Sequence, residues 1–394
     1  MSTPQFSILI PTRDRPATFR HALDSVVRQT GSFEIVIADN CSSPAVRLIA
    51  EEYANHCPNI KYLRSDTILP MSENWENGLR HCSGEYVTIL GDDDALLPST
   101  LAMAKRLVNA SRATIISWAL HWYGWPDTPN YWQANRLYVR FGKNEAGWQV
   151  SREILKAFYA GKVDHETLPM IYKSFVHRSC IQQVIAERGR YFSPPEIAPD
   201  VASGILNLLH AERYVYSERP LAVRGTSGKS YGAAWAVRGA SGSGERRNDY
   251  LREAGKTLKE LSHAALIPSV NLTIANANLK LLCKQAYCPD DPELVVDPCQ
   301  VLFEVVDTLN FEPEAYDDNL ADALRLAEKL NIDISARIPA KQAPNRRLSQ
   351  GPYGGENGIA GISVNCDQAG IFNVSDAARL AEAITQSADT FFPD

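Results

Sequence analysis

Along the amino-terminal third of the chain, short apolar runs alternate with apolar stripes at helical spacing. Phe6-Ser7-Ile8-Leu9-Ile10 is stopped by Pro11, and the next segment places Phe19, Ala22, Leu23, Val26 and Val27 on one stripe. The pattern recurs. Phe33 to Ala38 reads as a strand, Val46 to Tyr53 as a helix, Ile60 to Leu63 as a short strand, and Trp75, Leu79 and Cys82 as one helical face. Tyr86 to Leu90 is the next strand, followed by a helix carrying Leu101, Ala104, Leu107 and Val108 and by the β-branched run Thr114-Ile115-Ile116. Strands apolar on both faces, alternating with single amphipathic helices, predict a doubly wound α/β domain whose mainly parallel sheet is covered by helices on both sides.

Such sheets bind ligands beyond the carboxyl ends of their strands. Three polar clusters fall there: Pro11-Thr12-Arg13, Asp39-Asn40 and Asp92-Asp93-Asp94. Repulsion within the aspartate triplet favours a divalent cation between carboxylates, although solvated turns and helix caps use the same residues.

Beyond the α/β pattern the texture changes. Five of the seven tryptophans (118, 122, 125, 132 and 148) fall between Trp118 and Trp148, which reads as an irregular insertion or hairpin. Its aromatic faces suit either sugar rings or a core. A Gly/Ser-rich break at Gly239-Ala240-Ser241-Gly242-Ser243-Gly244 separates residues 1–238 from a mainly helical region, 239–394. Helices are expected at Leu251 to Leu261, Asn271 to Tyr287 and Leu320 to Leu330, then a loop from Pro339 to Gly358 and a closing strand and helix near Ile362 to Ile384.

Composition narrows the classes. A formal charge of −6 argues against a general nucleic-acid binder, because phosphate affinity needs clustered Lys and Arg. The eight cysteines form no Cys-x-x-Cys pair, so neither a structural zinc nor a disulfide framework is expected. Without a basic stretch before a long apolar run, or any window near the ~20 apolar residues of a spanning helix, the chain reads as soluble and cytoplasmic.

Three blocks carry a family resemblance: Phe6-Ser7-Ile8-Leu9-Ile10-Pro11-Thr12-Arg13-Asp14-Arg15-Pro16, Glu34-Ile35-Val36-Ile37-Ala38-Asp39-Asn40, and Gly84-Glu85-Tyr86-Val87-Thr88-Ile89-Leu90-Gly91-Asp92-Asp93-Asp94. In this order and spacing the chain up to about residue 230 resembles the inverting family 2 glycosyltransferases of bacterial type, with the GT-A fold. The resemblance implies transfer of a sugar from a nucleotide-diphosphate donor to a saccharide or lipid-linked saccharide acceptor. It leaves room for peripheral attachment at the inner face of the membrane and for a homo-oligomer.

The resemblance also implies roles for residues. Pro11, Thr12 and Asp39 would surround the base and ribose, with Arg13 on the nucleotide as well. The family's metal motif, Asp-x-Asp, falls with its first position at Gly91 and its last at Asp93, a departure from the pattern. Asp93 is then the ligand for Mn²⁺ or Mg²⁺, Asp92 turns to the ribose, and Asp94 is an alternative ligand or a support behind it. A second departure is Asn74-Trp75-Glu76-Asn77-Gly78, which lacks the Arg that contacts the diphosphate, leaving Arg13, Arg64 or Lys229 to compensate.

Inverting transfer needs one base beside the acceptor hydroxyl, and the family position implies Asp200, with Glu196 second. Asp200 also suits a helix N-cap, since an apolar stripe of Val201, Ile205, Leu208 and Leu209 follows it. Arg224-Gly225-Thr226-Ser227-Gly228-Lys229-Ser230 has the wrong spacing for a nucleotide-hydrolysing phosphate loop, and reads as a lid over the diphosphate or as an ordinary linker. Two rivals remain: a nucleotidyltransferase that makes a nucleotide sugar, and a non-catalytic nucleotide-sugar binder, to which Gly91 gives weight.

Overall fold

The computed structural model describes residues 3–129, 131–142, 146–192, 198–230, 243–343, 351–355 and 358–391. It opens with strands and helices in strict alternation: β1 (Phe6–Thr12), α1 (Pro16–Val27), β2 (Phe33–Asp39), α2 (Pro44–Ala54), β3 (Ile60–Arg64), α3 (Met71–His81) and β4 (Tyr86–Ile89). A short β5 (Ala95–Leu96) and α4 (Thr100–Ser111) lead to β6 (Ile115–Gly124), β7 (Arg136–Arg140), β8 (Ala146–Val150) and α5 (Ser151–Tyr159). Then come β9 (Ser174–His177), α6 (Arg178–Arg188), α7 (Pro199–His210) and the long β10 (Arg213–Thr226).

The centre of the sheet is the parallel, helix-flanked arrangement expected of a doubly wound domain. β3, β2, β1 and β4 run parallel, β9 inserts antiparallel between β4 and β6, and β10 runs parallel to β6 on its other side. Because side chains alternate along a strand, Leu9, Val36 and Ile89 enter one core with helices α3, α5, α6 and α7. Ile8, Ile10, Ile35 and Ile37 enter a second core on the opposite face, under α1, α2 and α4. Each such buried aliphatic side chain contributes roughly 1.5–3 kcal/mol, which is why these strands are apolar on both faces.

Glu34 pins the amino-terminal end of this sheet. Its carboxylate accepts from Ser7 Oγ at 2.6 Å, Ser83 Oγ at 2.8 Å and the Ser83 N–H, and pairs with Lys61 Nζ at 2.7 Å. Burial alone would push this carboxyl up, but the hydrogen bonds from Lys61, Ser7 and Ser83 outweigh it and hold it down at about 2. A depressed carboxyl stabilises the fold above its ordinary 4.5 and loses that contribution as pH falls towards 2. Glu34→Gln is therefore expected to cost up to about 3 kcal/mol at pH 7. Urea unfolding of both proteins should show the gap closing between pH 4.5 and pH 2.

The carboxyl-terminal region departs from expectation in its details. Helix α8 (Ser243–Glu253) ends well short of 261, because Gly255 turns the chain at a φ of +61°. Helix α9 (Leu272–Tyr287) begins as predicted, with the Asn271 side chain accepting from Ile274 N. It packs with α10 (Pro298–Asp307), which the sequence reading missed, and with α11 (Tyr316–Leu330) around Ile274, Leu302, Val305 and Leu326.

The chain then returns to the main sheet through β11 (Gly351–Gly355) and β12 (Gly358–Asn365), which pairs with β7. A one-turn helix, α12 (Cys366–Ala369), precedes α13 (Val374–Phe391). Buried Ala377, Ala378 and Ala381 bring α13 close to β5, β7 and β10. Residues 239–242 of the Gly/Ser break lie outside the described residues.

Candidate active site

A cavity of about 840 Å³ opens at the carboxyl edge of the parallel strands. The end of β1, the residues after β4, the start of α7, the end of β10 and one face of α9 all line it. The register explains the convergence: Thr12 of β1 lies opposite Asp39 of β2, and Leu9 lies opposite Ile89 of β4, so the aspartate triplet emerges beside Thr12.

The three aspartates have different partners. Asp92 accepts from Thr12 Oγ1 and Arg15 Nη1, each at 2.8 Å. Asp93 Oδ2 accepts from Ser227 Oγ at 2.7 Å and lies 3.7 Å from Arg15 Nη1, while Oδ1 receives no hydrogen bond from a described residue. Asp94 accepts from Gly225 N at 2.6 Å and from the Tyr172 hydroxyl, and does not line the cavity. Burial, with Asp93 beside it, pushes the Asp94 carboxyl up to about 7. Burial also raises Asp92, against the pull of Arg15.

The departure at Gly91 has a physical reason. A Cβ there would fall 2.5 Å from Asp94 Oδ2 and 2.9 Å from the Tyr172 hydroxyl. The Tyr172–Asp94 pair thus occupies the space that an aspartate at 91 would need. Gly225 is constrained in the same way, since a Cβ there would collide with the Asp93 carbonyl. That carbonyl accepts from Trp125 Nε1 at 2.9 Å just beyond β6, and Gly225 places β10 directly against the triplet.

Asp200 lines the cavity in the first turn of α7. The helix is capped at Ala198 with no side-chain bond, so Asp200 does not serve as the N-cap. Its carboxylate receives no hydrogen bond or ion pair from a described residue, unlike the cavity-lining Glu166, held by Arg224 at 2.6 Å, and Glu253, held by Arg13 at 2.5 Å. Glu196 lies outside the described residues.

Asp39 is fully buried and does not line the cavity. Its oxygens accept from Ser42 N at 2.9 Å and the Tyr62 hydroxyl at 2.5 Å, and its neighbour Asn40 faces the cavity instead. Pro11, Thr12 and Arg13 all line it. Of the cations weighed for the diphosphate, Lys229 lines the cavity and reaches the Asp14 carbonyl at 3.1 Å, whereas Arg64 turns to the Ser42 carbonyl at 3.0 Å, outside the lining.

Arg15 was not singled out from the sequence. Asp14 sits at a φ of +49°, which folds the turn so that Arg15, and not Arg13, reaches the triplet. Tyr172, Glu166 and Ser227 were also missed, and only Ser227 had a signal, its place in the Gly/Ser segment. The aromatic segment is less irregular than expected: Trp118 and Trp122 extend β6, since β-branched and aromatic residues suit a strand. Trp118 and Trp125 are buried, whereas Trp122 lines the cavity and stacks on Tyr138 at 5.0 Å.

An open sheet with a parallel centre, β3, β2, β1 and β4, and polar clusters converging on the carboxyl edge of those strands defines an α/β domain with the usual place for a ligand. Residues 7–167 match the family described as Glycosyl transferase family 2. Helices flank the sheet on both faces.

A Campylobacter jejuni GalNAc(5)-diNAcBac-PP-undecaprenol beta-1,3-glucosyltransferase is 31% identical over 114 residues, covering 28% of this chain and 37% of that protein. A Mycobacterium tuberculosis PGL/p-HBAD biosynthesis glycosyltransferase is 34% identical over 97 residues, covering 24% of this chain and 38% of its own. The chain thus spans well under half the length of these curated relatives. Among solved structures, S. aureus TarS 1-349 in complex with UDP-GlcNAc aligns over 86% of this chain and 98% of its own, at 16% identity and a TM-score of 0.45.

Proposed function

We propose that the protein is an inverting, divalent-cation-dependent glycosyltransferase that moves a sugar from a nucleotide-diphosphate donor to a hydroxyl of a saccharide or lipid-linked acceptor. The observation that carries this reading is one cavity containing two differently prepared carboxylates. Asp93 is fixed by Ser227 beside Arg15, and Asp200 receives no hydrogen bond or ion pair from a described residue.

The donor set at Asp93 fits a hard cation. Among the described residues no three His, Cys, Asp or Glu side chains converge into a metal cage. Mg²⁺ and related ions, however, bind through one or two carboxylates plus substrate phosphates and water, and within the triplet Asp93 Oδ1 is the oxygen that accepts no hydrogen bond from a described residue. Mn²⁺ or Mg²⁺ held there would neutralise charge growing on the departing diphosphate. Asp94 acts behind it, tying Tyr172 and the β10 backbone in place.

The remaining groups align with the parts of the donor. Pro11, Thr12, Arg13 and Asn40 line the nucleoside end, and Asp39 shapes the turn beneath them. Asp92 orients Thr12 and Arg15, and contacts a ribose hydroxyl only by giving up one of those bonds. Arg15, Arg224 and Lys229 supply the positive charge that the Asn74-Trp75-Glu76-Asn77-Gly78 segment lacks. Asp200 accepts the acceptor's proton as the hydroxyl oxygen bonds to the anomeric carbon and the nucleoside diphosphate leaves from the opposite face.

No helix among the described residues is long and apolar enough to cross a membrane. A thermal-shift screen with UDP and GDP, with and without Mn²⁺, tests the donor site. At least one nucleotide should raise the melting temperature by several degrees only when the cation is present. No shift with any nucleoside diphosphate would sink the reading.

A further inference from the structure

Helix α3 lies close against β1 and β2 because Gly78 permits it, since a Cβ there would collide with the Leu9 and Ala38 side chains. One turn earlier, Asn74 is thereby brought to the end of β2, where its Nδ2 donates to the Ala38 carbonyl at 3.0 Å. A carbonyl can only accept, so this bond fixes which way round the amide sits and leaves Oδ1 on the other side. Asn74 is 4% exposed, and Oδ1 is buried without a hydrogen bond from a described residue. Of the buried side-chain polar atoms in that condition, it alone belongs to a residue lining the cavity.

An oxygen withdrawn from water with no partner is costly, and in a native structure it calls for an explanation. The cavity supplies one. Asn74 lines it together with Pro11, Asn40 and Leu69, at the end assigned to the nucleoside. The other side chains at the end of β2 that could accept are already taken. Asp39 receives Ser42 N and the Tyr62 hydroxyl, while Asn40 Oδ1 receives Leu69 N at 2.8 Å and Ser65 Oγ at 3.3 Å. A base N–H brought out of water here meets Asn74 Oδ1 as the unclaimed side-chain acceptor.

We infer that Asn74 Oδ1 accepts a ring N–H of the donor's nucleobase, which makes Asn74 the residue that selects uracil, thymine or guanine over cytosine and adenine. The last two carry a lone pair on the ring nitrogen at that edge, and a lone pair facing a carbonyl oxygen repels it. The inference rests on the donor-site reading and deepens it.

The test is titration calorimetry, with Mn²⁺ present, of whichever of UDP and GDP binds more tightly, against its ring-N-methylated form (3-methyl-UDP or 1-methyl-GDP) and its 2′-deoxy form. Wild type should bind the methylated nucleotide at least tenfold more weakly than the parent, because a site built to hydrogen-bond an N–H rejects the analogue that lacks it. Asn74→Ala removes the oxygen and makes room for the methyl group, so the penalty should fall to less than threefold, a comparison that isolates the one contact. Asn74→Ser is read instead if the alanine variant melts early. Equal binding of parent and methylated forms, or a methylation penalty that survives the substitution, overturns the inference. So does a 2′-deoxy penalty that disappears in Asn74→Ala while the methylation penalty stays, which gives the oxygen to the ribose. Binding of neither UDP nor GDP strikes the donor-site reading itself, and this inference falls with it.

Discussion

Asp93→Ala is expected to lower kcat/KM for sugar transfer by ~10³-fold or more, because a metal-ion contribution to transition-state charge is worth several kcal/mol. The same variant should lose the Mn²⁺-dependent part of the UDP thermal shift. Alanine also releases Ser227, whose hydroxyl and N–H both reach Asp93 Oδ2, so a purely structural loss has to be separated from a lost cation. Asp93→Asn does this: its amide oxygen still accepts from Ser227, but the charge is gone. Steady-state kinetics and the thermal shift should place Asn near Ala. Near-full transfer by Asp93→Asn, with the Mn²⁺ response intact, would remove Asp93 as the ligand.

That experiment also bears on how much of the site the sequence displays. The strand ends at Thr12, Asp39 and Asp92 were legible because a parallel sheet brings every carboxyl end to one edge, whatever the loops do. The division of labour within the triplet was legible only in part. Asp94 is turned away by Tyr172, which lies 78 positions further along the chain, and no local pattern predicts that meeting. Arg15 was hidden for a different reason. Alternate residues on either side of Asp14 look equivalent in sequence, and the left-handed turn at Asp14 decides which one reaches the triplet.

The helical region shows the same division. The helix was placed at Asn271 to Tyr287 from the sequence, within one residue of α9 (Leu272–Tyr287), but periodicity cannot say which of two apolar faces is core. Ile274 and Ala277 are core, while Leu272 and Ala275 face the cavity, an assignment made by packing against α7 and α10.

Asp200→Asn is expected to lower kcat by ~10²–10⁴-fold, the usual range for a lost general base, while the UDP and Mn²⁺ thermal shift stays at its wild-type size. The structure makes this variant informative. Helix α7 is capped at Ala198 without a side-chain bond, and the Asp200 carboxylate has no hydrogen bond or ion pair with a described residue to lose, only a longer-range attraction to Arg224. Folding stability should therefore stay within about 0.5 kcal/mol of wild type, as for surface changes away from buried networks. A fall in turnover with binding and stability unchanged is hard to produce by structural damage. Two other carboxylates compete for the role: Glu166 shares the cavity but is committed to Arg224, and Glu196 precedes α7 in the chain. If Asp200→Asn keeps full activity while Glu196→Gln or Glu166→Gln loses it, the proton goes to that residue, and Asp200 is only a charge at the head of the helix.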